Sequence, residues 1–120
     1  MAVVTIEIDV IETSDFSGGG KALLVLGEGV IMYSFDYVAK WANRDEMLPG
    51  KTHRRVNESV YRKSYVSGCY LQSCLLKNET DLKYHVCIEV AGAEAINIYF
   101  DSLEKAKKVL QEIKHWIYGV

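Results

Sequence analysis

Residues 51–63 gather groups that grip anions. Lys51, Arg54, Arg55, Arg62 and Lys63 supply five bases against one acid, Glu58, and His53 adds a titratable imidazole. Guanidinium groups hold phosphate and carboxylate oxygens through charge-assisted, often paired hydrogen bonds. Tyr61 and Tyr65 lie close enough in sequence to offer a stacking face to a base. Lys51, His53, Arg54, Arg55, Tyr61, Arg62, Lys63 and Tyr65 therefore form a candidate site for a small phosphorylated or nucleotide-like ligand. Polymeric nucleic acid is the weaker reading. The net charge is −2 and the isoelectric point near 5.9, whereas such binding gains mainly from many phosphate contacts. A purely structural role competes with both. Residues 1–36 carry six acids (Glu7, Asp9, Glu12, Asp15, Glu28, Asp36) and one base, Lys21, so the basic segment can neutralise this stretch in its own chain or in a neighbouring copy.

Cysteine and histidine make the second cluster. Alternation across residues 69–90 predicts a hairpin with Leu71 opposite Ile88 and Leu75 opposite Tyr84. Cys74 would then face His85, with Cys87 next on that side. Two thiols and an imidazole are legitimate zinc ligands, but no Cys-x-x-Cys occurs and no fourth ligand is evident. Cysteine also packs as a small apolar residue, so no metal and no cofactor are predicted. Glu89 shares the strand face of His85, and Asp101 falls near His85 if the pairing continues into the next strand. That triple would be a starting point for a small hydrolase.

The third feature is aromatic. Eight tyrosines and two tryptophans suit interfaces, because each joins a large apolar area to a polar handle. Trp41, Trp116, Tyr70 and Tyr99 are the candidate interface residues. Sequence motifs for nucleotide chemistry fail. Gly50-Lys51-Thr52 lacks the glycine of a phosphate loop, since Asp45 occupies that position. Gly27-Glu28-Gly29 lacks the third glycine of a dinucleotide fingerprint, since Met32 stands there. No His-Glu-x-x-His or Gly-x-Ser-x-Gly is present.

These residues must be positioned by a predominantly β chain. Val4, Ile6, Ile8 and Val10 alternate with polar residues and predict a half-buried strand. Residues 13–20 read as a loop ending in Gly18-Gly19-Gly20. The apolar runs 22–26 and 30–35 flank Gly27-Glu28-Gly29 and predict a hairpin. Phe35, Val38, Ala39 and Ala42 fall at helical spacing, with Ser34 as a possible cap, and predict a short helix near 35–43. A polar loop over 44–50 closes at Pro49-Gly50. Residues 52–66 can be read as helix or strand, and their β-branched and aromatic content favours a strand. A three-stranded meander spans 69–100, turning at 78–81 and near Gly92. Its dry face holds Cys69, Leu71, Ser73, Leu75, Tyr84, Val86, Ile88, Val90, Ile96, Ile98 and Phe100. An amphipathic helix covers 102–118, with Asp101 as N-cap and Glu104 completing a capping box. Leu103, Ala106, Leu110, Ile113 and Ile117 form its apolar stripe, widened by Val109 and Trp116.

The sum is one α+β domain over 1–120, with a curved antiparallel sheet or partly open barrel of six to seven strands and a closing C-terminal helix. This element order resembles a pleckstrin-homology-like architecture. No family motif accompanies the order, and the architecture serves many unrelated functions. At 120 residues and 25% charged side chains, the chain can bury a core without disulfides or metal. The start of the sequence has no secretion-signal pattern. Three cysteines cannot all pair within one chain, and the two glycosylation sequons at Asn57 and Asn78 read as chance. A cytoplasmic protein off the membrane is expected. The leading expectation is a non-enzymatic binding protein whose partner is another copy or another protein.

Overall fold

A computed structural model of the chain describes residues 3–9, 16–18, 20–41, 52–74 and 82–119. Period-two alternation governs most of it. Strand β1 (Val4–Asp9) turns Ile8 inward and Thr5, Glu7 and Asp9 outward. Strands β2 (Phe16–Gly18) and β3 (Lys21–Leu26) both pair with β4 (Val30–Trp41) in one continuous register, Phe16 opposite Trp41 and Ala22 opposite Phe35. They lie end to end in a single lane. Gly20 sits in that lane opposite Tyr37, where a Cβ would come within 2.5 Å of the Tyr37 Cβ. Only glycine allows that approach. The predicted hairpin turn is present at Gly27–Gly29, closed by the Gly27 N–H donating to the Val30 carbonyl at 2.9 Å, with Gly29 at φ 77°.

Strand β5 (Thr52–Arg62) pairs with β4 over its whole length, from Lys40 opposite Thr52 to Val30 opposite Arg62. The first sheet thus has five strands in four lanes, in the order β1, β2/β3, β4, β5. The strand expected over 52–66 is there, ending in a 3-10 turn at Lys63–Tyr65. The helix expected near 35–43 is not: residues 35–41 continue β4. Tyr33, Phe35 and Tyr37 repeat with period two and β5 satisfies the ladder beside them, so the helical spacing of Phe35, Val38 and Ala39 is coincidental. Ala42, Asn43, the 44–50 loop and the 78–81 turn lie outside the described residues.

The second sheet is the predicted meander, β6 (Val66–Cys74), β7 (Lys83–Val90) and β8 (Ile96–Phe100), in that order. Cys69, Leu71, Tyr84, Val86, Ile88, Val90, Ile96, Ile98 and Phe100 face the core side as expected, but Ser73 is exposed, Leu75 lies outside the described residues, and each register differs by two residues. Cys69, not Leu71, faces Ile88, and Ile96 faces Ile88, not Val90. Apolar alternation fixes which face is buried but cannot distinguish registers two residues apart. A bulge between Val66 and Gly68 adds a further offset.

Helix α1 (Leu103–Tyr118) closes the core. Ser102, not Asp101, caps it, its Oγ accepting from the Lys105 N–H at 3.4 Å. Gly119 ends it in the left-handed conformation. Ala106, Val109 and Ile113 are buried as the stripe requires, while Leu103 remains partly exposed. One core joins Ile8, Ala22, Leu24, Leu26 and Ile31 of the first sheet to Val86, Ile88, Ile98 and Phe100 of the second and to the helix. Among the described residues the sheets do not close into a barrel. Among the described side chains of β4, none beyond Phe35 belongs to this core. The far end of the β4–β5 ribbon runs past it, in a molecule measuring 49 × 26 × 25 Å.

Candidate functional site

The strand pairings separate the side chains of the first sheet into two faces. Inward lie Val4, Ile6 and Ile8, then Ala22, Leu24 and Leu26, then Ile31, Tyr33 and Phe35. Outward, Thr5, Val25, Met32 and Val60 form one row across all four lanes. Leu23 and Val30 lie in the neighbouring outward rows, and Val38 and Val56 stand further along the ribbon. Val38, Val56 and Val60 are 54%, 63% and 56% exposed. Most isolated apolar residues on a surface mean little, but several on one flat face mark a place where protein can dock.

Charge frames this face. Lys21 bridges Asp9 and Glu7, which raises the lysine and lowers the Asp9 carboxyl relative to their ordinary values. Arg54 holds Asp36 with two parallel bonds, Nε to Oδ1 at 2.9 Å and Nη2 to Oδ2 at 2.6 Å. The hydrogen bond from Arg54, then its charge, holds the Asp36 carboxyl below its usual range. Glu58 has no ion-pair partner among the described residues.

The basic segment is spread out rather than convergent. A strand sends alternate residues to opposite faces, so Arg54 and Arg62 lie on the outward face and Arg55 on the inward one. Lys63, in the 3-10 turn, places its ammonium 5.0 Å from the centre of the Trp116 ring. Tyr61 faces Ile31 at the edge of the core, and Tyr65 is exposed. His53 pairs with Ala39 along the backbone, and Lys51 lies outside the described residues. Of the aromatic candidates, Trp41 pairs with Phe16 at the end of β4. Trp116 is partly buried and donates from Nε1 to the Gly27 carbonyl at 2.8 Å, tying α1 to the hairpin.

Tyr70 and Tyr99 do come together, on the outer face of the second sheet. His85 lies between them, stacked on Tyr99 at 4.8 Å and edge-on to Tyr70 at 6.1 Å. Its Nε2 is 2.6 Å from Asn97 Oδ1. Hydrogen bonding with Cys87, its cross-strand neighbour on this face, pushes the Tyr70 phenol up. His85 pairs with Gln72 and Tyr99, and Cys74 pairs with Lys83. Cys74 and Asp101 therefore do not face His85 directly, because both expected pairings depended on registers two residues away. No group of three His, Cys, Asp or Glu residues that could hold a metal occurs among the described residues.

No family model, curated protein or solved structure matches this chain. Its surfaces must be read from their own chemistry.

Sequence reading missed a second aromatic row. Tyr33, Phe35 and Tyr37 project inward from β4, with successive ring centres 5.8 and 5.4 Å apart. Burial pushes the Tyr33 hydroxyl up to about 12. Tyr33 and Phe35 border a cavity of 200 Å³ shared with Asn57, Ser59, Tyr61 and the Glu94–Asn97 segment. A larger groove of 470 Å³ runs along β1 beside Lys105, Lys108 and Glu112 of α1. The signal for the aromatic row was the period-two spacing at 33, 35 and 37, hidden by the helical spacing that overlaps it. No helix among the described residues is long and apolar enough to cross a membrane.

Proposed function

We propose that the chain is a non-enzymatic interaction protein that associates with another copy of itself through its first sheet. One observation carries this reading. β5 is an eleven-residue strand that pairs with β4 on one side and with no described strand on the other, and its Val56 and Val60 are more than half exposed. Long edge strands left uncovered invite further strands. The opposed charges of the same sheet can orient a partner. The thiols of Cys69 and Cys87 are unpaired, which suits a reducing compartment such as the cytoplasm.

A small anionic ligand on segment 51–63 draws less support, because Arg54 engages Asp36 and Arg55 lies on the opposite face. A hydrolase around His85 draws less support, because Asp101 does not face His85 in the strand register. Sedimentation velocity over a wide concentration range tests the main reading. A concentration-dependent dimer is expected, and Val56→Asp should shift it to monomer. A single monomeric species at every concentration would overturn the proposal.

A further inference from the structure

The sequence of β5 specifies how two copies would meet, an inference that rests on the self-association just proposed. Outward-facing residues alternate Arg54, Val56, Glu58, Val60, Arg62. In an antiparallel pair about a two-fold axis normal to the sheet, a residue on one face meets a residue of the same face in the other copy. The axis must therefore lie between the two strands, level with a residue of β5 and its own copy. Centred on Arg54 or Glu58, the axis sets like charges directly against each other. Centred on Arg55, it sets Arg55 against itself on the inward face; centred on Asn57 or Ser59, it sets Glu58 and the arginines against apolar or uncharged residues. Two centres remain that place Glu58 opposite an arginine.

Centring on Val60 pairs Glu58 with Arg62 but joins only residues 58–62, since β5 ends at Arg62. Centring on Val56 pairs residues 52–60 of each copy, the longest run that meets the charge condition. Arg54 then faces Glu58 of the second copy, and Glu58 faces its Arg54. Val56 meets Val56 on the axis. We infer that β5 binds β5 of a second copy in this register, merging two five-stranded sheets into one continuous sheet.

Three features support the choice. The β4–β5 register is unbroken over eleven pairs, so no bulge twists the edge away, and the strand holds no proline. These are devices by which proteins blunt free edges. Glu58 has no ion-pair partner among the described residues, so its carboxylate is available. Arg54 already stands fixed by Asp36 on the same face, which lowers the cost of ordering its long side chain when Glu58 of the second copy arrives. The charges that discourage indiscriminate strand addition thus permit one long symmetric pairing.

The test is a charge exchange in the full chain, followed by sedimentation velocity. R54E alone sets carboxylates against each other twice per dimer and should weaken association roughly tenfold. E58R alone sets arginines against each other and should do the same. Mixing the R54E and E58R chains should give a heterodimer, because both facing pairs are then attractive. The double variant R54E/E58R should again form a homodimer. Oxidative cross-linking supplies a readout independent of those variants. V56C should link to itself at position 56, and V60C should not. Linkage through V60C instead of V56C would overturn the register in favour of the shorter one. A wild-type dimer with neither charge rescue nor a 56–56 link would overturn β5 pairing while leaving self-association standing. A monomeric wild type would overturn both.

Discussion

The two sheets turn one face each into a common core, yet treat their outer faces differently. On the second sheet, the outward groups engage each other: His85 stacks on Tyr99, meets Asn97, and stands edge-on to Tyr70. On the first sheet, the outward valines of β4 and β5 are largely exposed, while Lys21 pairs with Glu7 and Asp9, and Arg54 with Asp36. A polar face can be satisfied by its own neighbours. An apolar face in water cannot, since no local contact returns what burial would give. The contrast teaches that exposed chemistry need not mark a binding site. Here the aromatic cluster with histidine and cysteine is the self-contained face, and the plainer valine-rich strand is the open one.

The largest effect that tests this contrast lies within a single sheet. Leu24 faces the core with no exposure, so Leu24→Ala should cost about 2–5 kcal/mol. Val60 faces outward on the same sheet, so Val60→Thr should change the unfolding free energy by less than about 0.5 kcal/mol in the monomer. Urea denaturation at low concentration measures both. Similar losses at the two positions would show that the outer face is covered.

An intermediate effect is expected where the hairpin of the first sheet meets α1. Trp116→Phe removes the donor to the Gly27 carbonyl and weakens the contact with Lys63. The cost should be about 1–3 kcal/mol by thermal or chemical unfolding. Wild-type stability would place this tie outside the forces that join the helix to the first sheet.

The smallest effect concerns the charged margin. The Asp36 carboxyl is held below the ordinary 3.8 by Arg54. A carboxyl lowered by folding adds stability that is present above its unfolded value and lost as pH falls through the lowered one. Both groups are exposed, so the contribution is small. A carbon-detected NMR titration of the monomer should give Asp36 a midpoint below 3.8, and Arg54→Met should raise it. An unchanged midpoint would remove the Arg54 contact from the description of the open face.

Much of the framework was legible in residue order. Alternation from Val4 to Asp9, the glycines at 27 and 29, and the helix stripe through Ala106 and Ile113 each encode local geometry. The dry face of the meander was also readable, because side-chain parity survives a shift of two residues. Exact partners were not, and with them went the Cys74–His85 site. The extension of β4 through Tyr37 and Val38 was hidden because apolar spacing there satisfies two periods, and only the long-range ladder with β5 selects one. The distinction between open and covered faces needs the third dimension. Val25 and Val86 look alike in sequence, but one faces outward and the other lies under the helix and the first sheet.

The bond from Trp116 to Gly27 spans 89 positions, and the same core holds both Ile8 and Ile113. During synthesis, the N-terminal hairpin can form early, because its partners are local. Its apolar underside then stays incompletely covered until β6–β8 and α1 have emerged. Folding dominated by such distant contacts is slow, and the nascent chain carries exposed apolar surface throughout that interval. The C-terminal helix thereby also sets the timing of maturation: a ribosome stalled before codon 116 would hold a first sheet that is paired but unsealed.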